Sequence, residues 1–303
     1  MITLKSNCLR VDIAEPGEHP NDGVRFDRAG FITEVVLNNE RQFCANEPKN
    51  LSHPSTGGRG LCCELMLDLS AGAAVGEQYP KFGVGLIRKE TDQPYVFYEK
   101  YEIEHFPVEY TATDCTAEFK TAALPCMGYA LTQRKKISVE GNRLMVECEL
   151  ENVGDKAVVL EEYCHNFLSI DGMAISPDYE LDIPGLCDQG HQPKKYRGNG
   201  HELNLIGNGC GFTFAKADPS VFEYPAQVAA QSAPFGWKLS HKGAKAYVEG
   251  EESFVPVRVN VWGTDHLISP EFIQRVELAP GERANWSRTM TFVDRLTEGE
   301  ELR

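Results

Sequence analysis

No run of apolar residues in this chain reaches the ~20 that a membrane-crossing helix needs. The opening stretch MITLKSNCLRVDIAEPGEHP also lacks the apolar core of a secretory signal. Basic residues are scarce: 30 Lys and Arg stand against 45 Asp and Glu, a formal charge of −15. That excess of acid excludes a broad basic surface for nucleic acid or anionic membrane and favours a small, uncharged ligand. The ten cysteines (8, 44, 62, 63, 115, 126, 148, 164, 187 and 210) contain no C-x-x-C pair. Several fall in strand-like runs as small core residues, so reduced thiols in the cytoplasm are expected. In that compartment the sequons at Asn50 and Asn285 carry no meaning. No P-loop, G-x-S-x-G elbow or H-E-x-x-H helix is present, and Gly83-Val84-Gly85 lacks the third glycine of a dinucleotide fingerprint. The eight histidines are too dispersed to converge on a metal, so no metal and no other cofactor is expected.

Helical signals are equally sparse, and period-two alternation fills the chain instead. Residues 8–13 and 31–37 (FITEVVL) read as strands. The turn-rich segment 50–60 precedes LCCELML, and aromatic-rich alternation runs from 95 to 123. GYALTQRKKISVE and RLMVECELENV flank Gly141-Asn142, a two-residue loop that favours a primed hairpin turn. Leu144, Val146, Cys148 and Leu150 face one way in the second strand, and Met145, Glu147, Glu149 and Glu151 the other. The loop Val153–Lys156 then leads into a third strand, so three consecutive antiparallel strands are expected. Residues 171–210 are loop-rich. GFTFAKA, FGWKLSH, AKAYVEG, FVPVRVNVW, FIQRVEL and ANWSRTMTFVD read as further strands, and the acidic tail LTEGEELR as frayed. Without repeats or a linker, residues 1–303 predict one domain, all-β, a large antiparallel β-sandwich.

The third strand, within VLEEYCHNFLSID (Val159–Asp171), carries a histidine at its middle. Alternation puts Glu161, Tyr163, His165 and Phe167 on one side and Leu160, Glu162, Cys164, Asn166, Leu168 and Ile170 on the other. Carboxylate, phenol and imidazole in a row make a polar surface. Taken alone, His165 reads first as a structural histidine bonded to a neighbour.

Two segments decide between these readings. LMVECELENVGDKAVVLEEYCHNFLSI resembles the middle of the galactose mutarotase (aldose 1-epimerase) family. There a hairpin and a polar loop lead into a strand whose histidine is followed by an aromatic residue. The matching residues are His165, Phe167 and Leu168, with Cys164-His165 where the family has asparagine-histidine. VRVNVWGTDHLISPEFIQRVELAPGERANWSRTMTF resembles the family's closing segment. Glu271 of Ser269-Pro270-Glu271 takes the place of a glutamate in a proline-containing bend, and Leu278–Glu282 that of an LAPGE turn. The resemblance covers residues 128–170 and 255–294 and extends loosely to the first half. It implies the galactose mutarotase-like supersandwich and a cofactor-independent mutarotase acting on a small-molecule sugar, as a monomer or homodimer. Arg59 in Gly57-Gly58-Arg59-Gly60 is the counterpart of the family's early arginine. The family's first histidine has no match in Tyr79–Gly85, where Lys81, or His105 from the next strand, takes that neighbourhood.

Anomer interconversion needs a base for the C1 hydroxyl proton and an acid for the ring oxygen, expected on opposite sides of the ring. The resemblance assigns the base to Glu271 and the acid to His165, whose ordinary pKa of ~6.5 suits it. On the strand FVPVRVNVW, Val255, Val257, Val259 and Val261 alternate with Pro256, Arg258, Asn260 and Trp262. Arg258, Asn260 and Trp262 are candidates to meet sugar hydroxyls and the apolar face of a pyranose; the alternative is a polar edge with Trp262 packed on a loop. The substrate is a free aldose or an aldose phosphate, the latter calling for converging basic residues such as Arg59, Lys81, Arg88 and Arg258. The competing function is a non-catalytic carbohydrate-binding protein on the same fold.

Overall fold

The computed structural model of the chain describes residues 1–18, 24–47, 57–186, 211–214, 222–226 and 228–295. Its first half contains β1 (Ile2–Lys5), β2 (Leu9–Ala14), β3 (Phe31–Leu37), β4 (Arg41–Gln42), β5 (Leu61–Met66), β6 (Gln78–Lys81) and β7 (Gly85–Arg88). There follow β8 (Ile103–His105), β9 (Val108–Ala112), β10 (Thr116–Thr121), β11 (Leu131–Glu140), β12 (Arg143–Asn152) and β13 (Val158–Asn166). The remainder supplies β14 (Tyr179–Asp182), β15 (Gly211–Thr213), β16 (Phe222–Ala226), β17 (Phe235–His241) and β18 (Ala246–Glu252). The last three are β19 (Arg258–Gly263), β20 (Ile268–Leu278) and β21 (Arg283–Asp294).

Among the described residues these strands form two nine-stranded sheets and a three-stranded one. The first sheet runs β1-β2-β3-β5-β13-β20-β19-β16, with β4 added on β3; the second runs β15-β14-β17-β18-β21-β12-β11-β10-β9; the third is β6-β7-β8. Neighbouring strands pair antiparallel. The two large sheets lie face to face because each presents an apolar side. Val11, Val35, Val259, Val261 and Phe272 from the first meet Phe119, Ile137, Leu239, Val248 and Phe292 from the second in one core. Each such side chain contributes about 1.5–3 kcal/mol by burial. This is the all-β antiparallel sandwich the alternation predicts.

The expected run of three consecutive paired strands is only half observed. β11 and β12 form the Gly141-Asn142 hairpin, with Glu140 opposite Arg143 and Gly141 at φ 54°. β12, however, takes β21 as its other neighbour, and the next strand, β13, crosses to the first sheet between β5 and β20. Asn152, fully buried, ties this crossover: its amide donates to Lys156 O and Leu278 O at 2.9 and 3.0 Å, and its oxygen accepts from Gly154 N–H at 3.1 Å. Residues 95–102, read as strand, carry no strand; pairing begins at Ile103. The valine alternation holds for the buried Val259 and Val261, whereas Val257 precedes β19 and is exposed. A strand at Tyr179–Asp182 lies inside the segment read as loop. The turn-rich residues 48–56, residues 187–210 with Cys187 and Cys210, and the tail 296–303 lie outside the described residues. Among the described residues no helix is long and apolar enough to cross a membrane.

Charge is also buried between the sheets. Arg288 on β21 donates two hydrogen bonds to Glu162 on β13, at 2.9 and 2.7 Å, and pairs with Glu252 on β18 at 3.0 Å. Gln274 adds a hydrogen bond to Glu162 at 2.9 Å. Lys135 meets Asp27 at 2.6 Å.

Candidate active site

The outer side of the first sheet, turned away from this core, carries the candidate residues in rows set by strand register. β13 and β20 pair from Val158–Glu162 against Gln274–Leu278 and again at Leu168 against Ile268. Both stretches keep one register, and that register puts His165 opposite Glu271 and Phe167 opposite Ser269. Between them the ladder is open, because Pro270 has no N–H to give. The buried Asn166 amide fills part of the gap by donating to Pro270 O at 2.7 Å. Ser269-Pro270-Glu271, read as a bend, is thus part of a continuous strand. β5 sets Cys62 beside His165 and Glu64 beside Tyr163, while β19 sets Asn260 beside Glu271 and Trp262 beside Ser269.

At the centre, His165 Nε2 lies 3.0 Å from Glu271 Oε1. His165 is 2% exposed and Glu271 6%. The Ser269 hydroxyl stands 2.7 Å from the other ring nitrogen, Nδ1. The Asn260 amide donates to Glu271 Oε2 at 2.9 Å and to Glu223 Oε1 on β16 at 3.0 Å. Its own oxygen is buried and has no hydrogen-bond partner among the described residues. Aromatic rings box the imidazole: Phe167 stacks parallel at 4.0 Å between centroids, and Trp262 and Phe26 stand edge-on at 5.1 and 6.0 Å. Gly58 makes this stack possible, since a Cβ there would fall 2.3 Å from Phe167 Cζ.

Burial sets the electrostatics. It pushes the Glu271 carboxyl up to about 7, against the Asn260 hydrogen bond and the Arg25 charge, which act the other way. It pushes the His165 imidazole well below its ordinary value, and Arg25 adds to that effect. A second cluster adjoins this pair. Arg25 donates to Glu64 Oε2 at 2.9 Å and to the Tyr163 hydroxyl at 2.8 Å, and Tyr163 donates to Glu64 Oε2 at 2.7 Å. The guanidinium lies over Phe26 and Phe97, 4.8 and 4.4 Å from the ring centroids. Burial disfavours ionisation of Glu64, yet Lys81, Arg25 and the Tyr163 hydroxyl together outweigh it and hold the carboxyl below its ordinary value.

Of the residues singled out by sequence, His165, Glu271, Asn260 and Trp262 come together. Arg258 shares their side of the sheet, exposed, with its guanidinium on Glu161 at 2.5 Å. Lys81 does not face a ligand: its ammonium is buried between Glu64 Oε1 at 3.0 Å and Leu65 O at 2.8 Å. His105 is exposed on β8, its Nδ1 3.3 Å from Val84 O, and the backbone of Arg59 forms a β-bridge with that of Asn46. Acid and base are not on opposite sides of a ring either, since 3.0 Å leaves no room for one between them. Arg25, Glu64, Ser269 and Glu223 are additional. Ser269 and Glu64 follow from alternation around Glu271 and opposite Tyr163, whereas Arg25 sits in an irregular segment with no periodicity to mark it.

No protein-family model matches the sequence, and no curated protein matches it significantly. Solved structures do match over nearly the whole chain. A galactose mutarotase related enzyme from Lactobacillus acidophilus aligns with 97% of this chain and 97% of its own at 13% identity, TM-score 0.59. A galactose mutarotase-like protein from Lactobacillus casei covers 97% and 100% at 14% identity, TM-score 0.59. An aldose epimerase homologue from C. elegans covers 97% and 98% at 10% identity, TM-score 0.51. At such identity the likeness speaks to architecture. The chain has the galactose mutarotase-like sandwich fold.

Proposed function

We propose that the protein interconverts the α and β anomers of an aldose by acid–base ring opening. The observation that carries this reading is the His165–Glu271 contact, two titratable groups 3.0 Å apart and in register on neighbouring strands. The C1 hydroxyl oxygen and the ring oxygen are bonded to one carbon, so side-by-side groups can serve both from one side. The Glu271 carboxylate takes the hydroxyl proton while His165 delivers a proton to the ring oxygen. The bond from C1 to the ring oxygen breaks, leaving an aldehyde. Rotation about C1–C2 and reclosure on the other face return both protons. Atoms and charge balance within sugar and pair, so no cofactor enters the reaction. Each positioned proton transfer contributes about 10²–10⁴-fold. Trp262 offers an apolar face for the pyranose, and the unpartnered Asn260 oxygen accepts a hydroxyl.

An uncharged aldose suits this surface better than a phosphate ester. Arg25 and Lys81 are both committed to Glu64, and Arg258 to Glu161. Arg88 meets Glu102 at 3.8 Å, and Arg59, whose Nε has no partner among the described residues, is the one left where a phosphate calls for several. The near-complete burial of the pair favours a second reading, a carbohydrate-binding protein in which His165 and Glu271 are structural. Exchange NMR on a panel of free and phosphorylated aldoses separates the two. Accelerated interconversion by the native protein, abolished in Glu271→Gln with binding retained, supports the isomerase. Measurable binding without acceleration of any sugar selects the binder.

A further inference from the structure

Phe167 fixes the plane of the His165 ring, but stacking does not fix which way round the ring sits. A half-turn about the bond to the ring exchanges Nδ1 with one carbon and Nε2 with the other, and leaves the stacked outline nearly unchanged. Polar contacts tell the two apart: Glu271 Oε1 meets Nε2, and a second partner is needed at Nδ1. Ser269 Oγ supplies it at 2.7 Å, from a side chain with no exposed surface. Two residues from Glu271 on the same strand, it shares that residue's side of the sheet. Its second acceptor is Glu271 Oε1, at 3.5 Å.

We propose that Ser269 is a positioning residue whose hydroxyl turns over as His165 changes its protonation, donating to Nδ1 in one state and accepting from it in the other. The inference rests on the acid–base reading above. With His165 neutral and Glu271 ionised, Ser269 donates to Nδ1, and the ring hydrogen sits on Nε2, 3.0 Å from the carboxylate. When the pair takes up a proton, Nδ1–H donates to Ser269 Oγ, and the hydroxyl hydrogen swings to Glu271. Neither state leaves a buried donor or acceptor unmatched. A carbonyl in the same place would only accept and would lock the hydrogen on Nδ1. The other charged or titratable groups facing the ring are Tyr163 on β13, Cys62 and Glu64 on β5, and Arg25 from the segment before β3. The first three hold no hydrogen bond to a ring nitrogen, and Arg25 acts through its charge alone.

The test is nitrogen-15 NMR of histidine-labelled full-length protein across pH, alongside kcat and KM for anomer exchange. In the native protein, Nδ1 of His165 is expected to change from an unprotonated acceptor at high pH to a protonated nitrogen at low pH. Ser269→Ala is expected to mix the neutral tautomers, displace the pH profile and lower kcat by about 10–100-fold, the usual cost of losing a group that orients a histidine. KM should change little, and Ser269→Thr should restore most of the rate. A native Nδ1 that stays protonated at every pH overturns the proposal, and so do unchanged tautomers and pH profile in Ser269→Ala. The NMR arm needs no turnover. Should the native protein accelerate no sugar, the acid–base reading fails while the nitrogen signals still decide what Ser269 does.

Discussion

Burial acts in opposite directions on the two members of the His165–Glu271 contact, lowering the imidazole below its ordinary value and lifting the carboxyl to about 7. Groups this close titrate as a pair, so one proton held between them is the working unit. The sign follows directly. Above about 7 the pair loses that proton, base and base remain, and no acid is left for the ring oxygen. We therefore expect kcat/KM to fall as pH rises through neutrality; a rate that keeps climbing into the alkaline range contradicts it. Because the two act as one unit, His165→Gln combined with Glu271→Gln should cost about as much as either change alone. Additive losses in the double variant would separate them. Part of this was legible in the sequence: alternation put His165 with Tyr163 and Phe167, and the closing segment singled out Glu271. Lys81 misled because the resemblance marks only the neighbourhood of a missing histidine, whereas a carboxylate on another strand draws the lysine's ammonium inside.

At the scale of the element, the informative residues are those that break a ladder. The family resemblance puts Ser269-Pro270-Glu271 in a proline-containing bend. Here Pro270 sits mid-strand, and the opening it leaves is where the pair meets. Asn166→Ala would strand the Pro270 carbonyl without its donor. The expected loss is about 1–3 kcal/mol, read from chemical denaturation. Unchanged stability would mean the carbonyl finds another partner. The crossing of β13 to the opposite sheet was not legible, because alternation says which residues share a side but not which sheet owns the strand. Gly154 marks that crossing: a Cβ there would lie 2.6 Å from Ala130 N and 2.9 Å from Gly128 O. Those are backbone atoms that cannot step aside, so Gly154→Ala should lower the melting temperature, while Gly281→Ser, in open space but at φ 82°, carries only the strain of its turn.

For the whole molecule, the buried Glu162–Arg288–Glu252 chain links the two sheets through charge rather than apolar contact. Burial lifts the Glu252 carboxyl to about 7. A carboxyl raised above its unfolded value stabilises the fold while protonated. That contribution is complete below the unfolded value and is lost as pH rises through about 7. Glu252→Gln should therefore flatten the decline of stability between mildly acidic and mildly alkaline buffers. Arg288→Met should cost about 3–5 kcal/mol, since it leaves the buried Glu162 with the Gln274 amide but no cation. Both are read from denaturant melts, and a pH slope unaltered in Glu252→Gln would place its origin elsewhere.

The common register of β13 and β20 bears on what kinds of genetic change the site can survive. Equal lengths of chain, Glu162 to Leu168 and Ile268 to Gln274, bring the two residues face to face. One codon inserted in or deleted from either stretch would turn every following side chain to the opposite face until the strand re-anchored. His165 or Glu271 would then point between the sheets, with neither residue itself substituted. Point substitutions at neighbouring positions leave that geometry standing. The facing of the pair thus depends on the equal length of the two stretches as well as on the residues they carry.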